Sequence, residues 1–393
     1  MANYSELKKD NTLRIVRALQ SSGQATKPDI ARHVGLTTVA VHKLIGELIQ
    51  KGICVPSGIS ESTGGRKAVY YKLNGSYGYA IGVRISRGGL DTVVLDLCFN
   101  EIYHHSTKCV PGHVEETVEL IRCELDKVLS LENLRAKRCL GVGVAIPGRA
   151  DATGTVIHIP AIPNWENYSL RSQIEKRINL KTFVDNDSNA MILAAKWYGL
   201  VDDSADAIYL TITEGFGAGI ISKGKLFYGS SYHACEIGHT LIGLDGPVCS
   251  CGNKGCIEAV TCESAILASC YYTMASKYAH LMQPSLSIRD IALLTKTNSD
   301  GDLYAAFGTA AHYIAIAVHN LVSTFDPNMV IIQSNWLDVF PELVDGIRKS
   351  VFAGCRWKNH GNLQILINPD KPSVHASPAF LVFDEVFGGK QDF

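Results

Sequence analysis

No part of the 393-residue sequence is an uninterrupted apolar run long enough to span a bilayer. The N-terminus, MANYSELKKDNTLRIVRAL, scatters charges where a signal peptide needs an apolar core. Both absences argue against a membrane protein and point to the cytoplasm. Low-complexity tracts and short-period repeats are also missing. Net charge is nearly absent, at -1, so the chain as a whole shows no bias toward nucleic acid. With 46% hydrophobic residues, the length suffices for two or three domains.

A reducing compartment in turn makes disulfides a poor explanation for the cysteines. Cys98, Cys123, Cys139, Cys262 and Cys355 are dispersed and read as small core residues. The stretch EIGHTLIGLDGPVCSCGNKGCIEA differs, because His239, Cys249, Cys251 and Cys256 follow the pattern H-x9-C-x-C-x4-C. One imidazole and three thiolates form the donor set of a closed, tetrahedral structural zinc site, which leaves no position for a reactive water. Gly252 and Gly255 permit the turns that fold so short a loop around one ion. The alternatives are three reduced surface thiols without metal, or a redox pair.

Although the total charge is small, its distribution is not even. Residues 1–75 hold eleven basic side chains, among them Arg14, Arg17, Lys43, Arg66 and Lys67, against five acidic ones. The remainder is correspondingly acidic, as expected for a phosphate-facing module attached to an acidic body. Within that module three helical patterns fit residues 10–50. The first runs through Leu13, Ile15, Val16 and Leu19. A second starts at Thr26, with Pro28 and Asp29 in its first turn, and stops near Gly35. The third starts at Thr37 or Thr38 and buries Val41, Leu44, Ile45 and Leu48 on one face. Val39, His42 and Lys43 then point outward with the helix-start threonines, offering a methyl, hydrogen-bonding groups and a cation to a DNA groove. The turn VGLT between the last two helices suits a helix-turn-helix, and GICVPSG and AVYYKLN read as strands flanking a wing with Arg66 and Lys67. An ordinary three-helix bundle showing its cations to water is the alternative.

From about Tyr77 onward, strand-like runs (YAIGVRI, TVVLDL, LGVGVAIPG, AIYLTIT, GAGIIS, MVIIQS) alternate with helical ones, the rhythm of an α/β fold. LGVGVAIPGRAD, TFVDNDSNAMILAAKWYG and the cysteine pattern after E-x-G-H resemble the ROK family of repressors, open reading frames and sugar kinases. The resemblance covers essentially the whole chain. It implies an actin-like, two-lobed sugar-kinase fold at 76–393 behind a winged helix-turn-helix at 1–75, with sugar held in a cleft near residues 186–187. It implies further that Asn186, Asp187, Glu236, His239 and Glu258 meet sugar hydroxyls and that zinc fixes the loop at 239–256. Asn164, in IPNW, is a further candidate for the same pocket. In family kinases the residue matching Asp187 is the general base; without the resemblance, Asn186-Asp187 would read as a polar strand-to-helix turn.

Against the family's phosphate elements the chain departs three times. Arg84-Ile85-Ser86-Arg87-Gly88 stands where kinases carry D-x-G-G-T, Thr213-Glu214-Gly215 places a carboxylate in the second phosphate loop, and Gln333-Ser334-Asn335 replaces paired glycines. The expected molecule is therefore a sugar-responsive regulator, a repressor of carbohydrate-utilisation genes, and not an enzyme. Its partners would be operator DNA, a sugar or sugar-phosphate effector and further copies of the chain in a homodimer or homotetramer. The alternative is a sugar kinase that also binds DNA, and a third reading has the body bind a sugar-transport protein.

Overall fold

Local signals shape the N-terminal module. In the computed structural model, which describes residues 4–59, 67–109, 112–160, 162–203, 205–283, 286–354, 363–370 and 372–388, it begins with helix α1 (Tyr4–Ser22). Arg66 and Cys355 lie outside the described residues. After the short strand β1 (Ala25–Thr26), Thr26 caps α2 (Lys27–Val34), and Gly35 ends it at φ 65°. Thr37 caps α3 (Thr38–Gln50), whose buried residues are Val41, Leu44, Ile45 and Leu48. Strands β2 (Cys54–Ile59) and β3 (Val69–Leu73) flank the wing, and β1, too short to be read from the sequence, pairs with β3 to make a three-stranded sheet.

The body runs β4 (Gly78–Ser86), β5 (Gly89–Asp96), β6 (Glu101–Lys108), α4 (Val114–Ser130), α5 (Glu132–Arg135), β7 (Arg138–Ile146), β8 (Arg149–Ala150), β9 (Val156–His158), α6 (Leu170–Ile178), β10 (Thr182–Asn186) and α7 (Asp187–Trp197). It continues with β11 (Ala207–Ile212), β12 (Phe216–Ser222), β13 (Lys225–Leu226), α8 (Glu258–Thr261), α9 (Glu263–Lys277), α10 (Ile288–Asn298), α11 (Gly301–Phe325), β14 (Met329–Ser334), α12 (Pro341–Gly354), β15 (Gln364–Ile367) and α13 (Ser377–Gly388). By contacts the chain divides into one unit of residues 1–203 with 371–393 and a second of residues 204–370.

Each unit holds a five-stranded sheet, ordered β10-β7-β4-β5-β6 in the first and β13-β12-β11-β14-β15 in the second. The plans match: the first strand pairs antiparallel with the next along the chain and parallel with a later one. On one face of the first sheet, Ile81, Val83 and Val142 pack with Ile121 and Leu125 of α4 and Ile174 of α6. The start of α13 lies against the other face, so closely that a Cβ on Gly143 would fall 1.9 Å from the Pro378 carbonyl oxygen. One on Gly82 would fall 2.7 Å from the Ala379 nitrogen, so the glycines of YAIGVRI and LGVGVAIPG make room for that helix. In the second unit, α11 is the one described helix long and apolar enough to cross a membrane. Its Leu303, Phe307, Ile314 and Val318 are instead buried in that unit's core.

Candidate functional site

The exposed face of α3 carries the residues expected there. Thr37, Thr38, Val39, His42 and Lys43 are exposed, Val39 to 81%. Thr37 Oγ1 accepts from the Ala40 backbone N–H at 3.2 Å, so that hydroxyl is engaged in the cap. Lys27 Nζ lies 3.0 Å from His42 Nδ1 and 5.1 Å from the centre of the Tyr71 ring, which ties α2, α3 and the wing sheet together. Lys67 is exposed at the end of the wing.

Arg17 does not belong to the phosphate-facing set in which its charge was counted. Its side chain is only 8% exposed and reaches from α1 into the body, donating to Asp203 Oδ1 at 2.7 Å and to Asp384 Oδ1 at 2.5 Å. The guanidinium also lies 5.0 Å from the centre of the Trp197 ring at the end of α7. Lys196, buried beside Asp203, has its ammonium pKa pushed down by desolvation and by Arg17. Within α1, Arg17 stands among the buried residues Leu13, Ile15, Val16, Ala18 and Leu19.

The other end of α7 carries the Asn-Asp pair. Asn186 caps this helix, its Oδ1 accepting from Ser188 N–H at 2.8 Å, while its Nδ2 donates to the Gly148 carbonyl at 2.8 Å. Oδ1 also accepts from Asn189 N–H at 3.4 Å, so these bonds leave one amide hydrogen for a ligand. Asp187 is 16% exposed, and burial pushes its carboxyl pKa up, with Arg84 opposing the rise. Arg84 Nη2 stands 4.0 Å from Asp187 Oδ2, and its Nη1 stands 3.8 Å from Asp91 Oδ2. The residue standing where family kinases carry an acid is thus a cation facing the would-be base. Asn164 is exposed, at φ 70°, between buried Ile162 and Trp165.

In the second unit the cysteine loop closes on itself through isolated bridges between Leu241 and Cys256 and between Val248 and Lys254. Gly255 stands at φ 76°, where a Cβ would lie 1.6 Å from the Gly243 carbonyl oxygen. The ligand atoms of His239, Cys249, Cys251 and Cys256 all lie within 4.8 Å of one another. Cys251 Sγ is 3.7 Å from Cys256 Sγ, and Cys249 Sγ is 3.6 Å from His239 Nδ1. A tetrahedral zinc with Zn–S of about 2.3 Å and Zn–N of about 2.0–2.1 Å requires edges of about 3.8 Å and about 3.6 Å. The donor set therefore fits that ion in chemistry and in spacing. Burial and the neighbouring thiols push Cys256 up to about 12; a dication among these sulfurs reverses that balance.

Around this loop stand the two carboxylates. Glu236 Oε2 is 3.8 Å from His239 Nε2, so the imidazole turns one nitrogen to the thiols and the other to a carboxylate. Glu258 Oε2 accepts from Phe216 N–H at 3.0 Å, and its Oε1 accepts from Ser250 Oγ at 3.1 Å, linking the loop to the turn between β11 and β12. That turn holds exposed Glu214. Glu263, which the sequence did not single out, is pushed up by burial and by Glu214, and accepts from Asn335 Nδ2 at 2.6 Å. Gln333 Oε1 accepts from Tyr209 Oη at 3.2 Å.

The architecture, two α/β units on one sheet plan behind a winged helix-turn-helix, agrees with the proteins this chain resembles. A model of the ROK family matches residues 80–368, and one for winged helix-turn-helix DNA-binding domains matches residues 8–53. The chain is 31% identical to the xylose repressor of Caldicellulosiruptor bescii over 349 residues, covering 87% of each. It is 26% identical to the xylose repressor of Bacillus subtilis, over 89% of this chain and 88% of that one. Identity to the N-acetylglucosamine repressor of Escherichia coli O157:H7 is 24%, over 89% and 86% of the two chains. Among solved structures, a ROK transcriptional regulator described as a homologue of the Escherichia coli MLC protein superposes with a TM-score of 0.79 at 21% identity, covering 98% and 97% of the chains. A ROK glucokinase from Streptomyces griseus superposes with a TM-score of 0.66 at 24% identity, over 78% of this chain and 98% of that one. The chain belongs to the ROK family. Within it, the chain is a DNA-binding transcriptional regulator and not one of the kinases.

Proposed function

We propose that the chain represses carbohydrate-utilisation genes in the cytoplasm and is relieved by an aldose, with D-xylose the first ligand to test. The observation that carries this reading is the guanidinium of Arg84 facing Asp187. A cation there keeps the carboxylate available to accept a sugar hydroxyl while removing the acidic group that a kinase needs for its nucleotide metal. The sugar's proposed partners are Asn164, Asn186, Asp187, Glu236, His239 and Glu258. His239, Cys249, Cys251 and Cys256 hold a structural zinc that keeps His239 Nε2 and Glu236 in place. Zinc supplies rigidity here and no reactive water.

On DNA, Thr38, Val39 and His42 read base edges, while Thr37, Lys43, Arg66 and Lys67 meet phosphates. The protein works as a homodimer or homotetramer, so that two α3 helices meet two half-sites. The effector signal runs along α7. That helix is buried along its length, carries Asp187 at its first residue and touches Arg17 of α1 with its last, Trp197. A shift of α7 on sugar binding reaches the DNA-binding module through this contact, with a coupling of about 1–3 kcal/mol.

The test is a calorimetric titration of tag-free protein with D-xylose, N-acetylglucosamine, glucose and their phosphates, paired with coupled ADP-release assays. A binding isotherm for one of them, weakened in Cys251→Ala together with loss of about one zinc per chain, supports the reading. Sugar-dependent ADP release that vanishes in Asp187→Asn overturns it in favour of a kinase. Operator release by a sugar-transport protein, with no heat from any sugar, favours a protein effector instead.

A further inference from the structure

We infer that the chain has a second divalent transition-metal site, formed by Glu101, His104 and His375 and separate from the cysteine loop. The three ligand atoms lie within 4.8 Å of one another, all of them in the first unit. His375 Nε2 is 2.9 Å from Glu101 Oε2, and the rings of His104 and His375 lie nearly parallel, tilted by 16° with centroids 4.2 Å apart. Asp91 Oδ1, which accepts from Ser106 Oγ at 2.6 Å, stands 3.9 Å from His104 Nε2 and adds negative charge beside the site.

This convergence depends on an irregularity in the strand. Glu101 and His104 are three residues apart, so in a regular strand their side chains would point to opposite faces. The β5–β6 ladder pairs Val94 with Tyr103 and Leu95 with Glu101, so Ile102 is an extra residue, a β-bulge. The bulge leaves Ile102 and Tyr103 both packed against the core on one face. It brings Glu101 and His104 together on the other, beside Asp91, where the segment leading into α13 supplies His375. Two stacked imidazoles and the Glu101 carboxylate, with His104 and Glu101 on an accessible edge strand, form a set suited to Zn²⁺, Ni²⁺ or Co²⁺, with water completing the shell.

Ring stacking and the His375–Glu101 hydrogen bond account for parts of this geometry without a metal, so the variants must separate packing from ligation. His104→Phe keeps a stacked ring and removes the ligand nitrogen; His375→Gln keeps a hydrogen-bond donor toward Glu101 and binds metal poorly. Tag-free full-length protein is dialysed against micromolar ZnCl₂, and bound zinc is counted by mass spectrometry, with Cys251→Ala reporting separately on the cysteine loop. The expected count is two zinc per chain in the wild type and one in each histidine variant. In Cys251→Ala the site on β6 keeps its ion. Equal zinc in wild type, His104→Phe and His375→Gln overturns the proposal, whatever the cysteine loop does. A Co²⁺ spectrum that shows only thiolate-ligated metal in the wild type overturns it as well.

Discussion

The two units carry the same sheet plan and opposite electrostatics. In the first, Arg84 near the end of β4 is a cation set against Asp91 and Asp187. At the corresponding hairpin of the second, Glu214 stands at the turn with Glu263 close enough to raise that residue's pKa. Gly215, Gly217 and Gly219 survive in the second hairpin, so its backbone could still approach a phosphate; its charge could not. Against the kinase pattern that the chain resembles, the second hairpin keeps its glycines and gains a charge, whereas the first lacks both the glycines and the acid. The units also differ in what they bury. Arg17, Asp96, Glu124 and Lys196 are buried in the first, and Asp300 is the buried charged residue described in the second. Charge is buried in the unit that contains the DNA-binding module, and two of those four groups lie where α1 meets the body.

The largest effect is therefore expected at Arg17. Arg17→Ala removes the guanidinium from Asp203 and Asp384 in a partly buried contact, leaving Asp203 only Lys196 at 3.5 Å, which costs about 3 kcal/mol. A lowered Tm in calorimetry, together with earlier proteolysis of α1, checks this. The same contact fixes a pH dependence. Burial alone would raise the Asp203 carboxyl, but Arg17 and Lys196 more than reverse that and hold it below its ordinary value. Its contribution to stability is thus complete above about pH 4, the ordinary aspartate value, and is lost as pH falls through the lowered native value. The Tm gap between wild type and Asp203→Asn should be constant near neutrality and shrink in acid below about pH 4. A gap that widens in acid would contradict the assignment.

An intermediate effect is expected at Asp187, the group that Arg84 faces. Burial raises its pKa, so the charged form costs folding energy, and Asp187→Asn should fold at least as well as wild type at neutral pH. Sugar affinity should fall by about 1.5–3 kcal/mol, the usual range for hydrogen bonds to a charged group. Isothermal titration with the sugar identified by the panel measures it. Unchanged affinity would remove Asp187 from the ligand site and leave Arg84 as a structural cation only.

How far these sites could be read from sequence depends on how local their causes are. The outward face of α3 follows from the 3.6-residue spacing of Val41, Leu44, Ile45 and Leu48, and the thiol cluster from spacing within one loop. Both are short-range patterns: the structure exposes the one face and gathers the four ligand atoms of the other within 4.8 Å. Arg17 was illegible because its partners Asp203 and Asp384 lie 186 and 367 residues away. Its place four residues after Leu13, between Val16 and Ala18, puts it on the apolar side of α1, but the local chain does not say which acids it meets. Glu101 and His104 were hidden for another reason: a regular period of two places them on opposite faces, and a bulge cannot be seen in a period it interrupts. The sheet plans became visible only when pairing partners far apart in sequence were in view.

The smallest effect is expected where the comparison is drawn most directly, at Glu214. Glu214→Thr restores the hydroxyl that family kinases carry in the second hairpin and removes the carboxylate that helps raise Glu263. If charge at that hairpin were the sole obstacle, sugar-dependent ADP release should appear. It should not, because Arg84 still faces Asp187 in the first hairpin and Gln333 and Asn335 still occupy the third element, held by Tyr209 and Glu263. The fold should barely respond, since Glu214 is exposed and its replacement touches no core residue. The measurable change is confined to Glu263, whose carboxyl should titrate lower than in wild type once its acidic neighbour is gone. Turnover in Glu214→Thr alone would show that the first unit had kept a working nucleotide site, and that the charges of the two hairpins were lost one at a time.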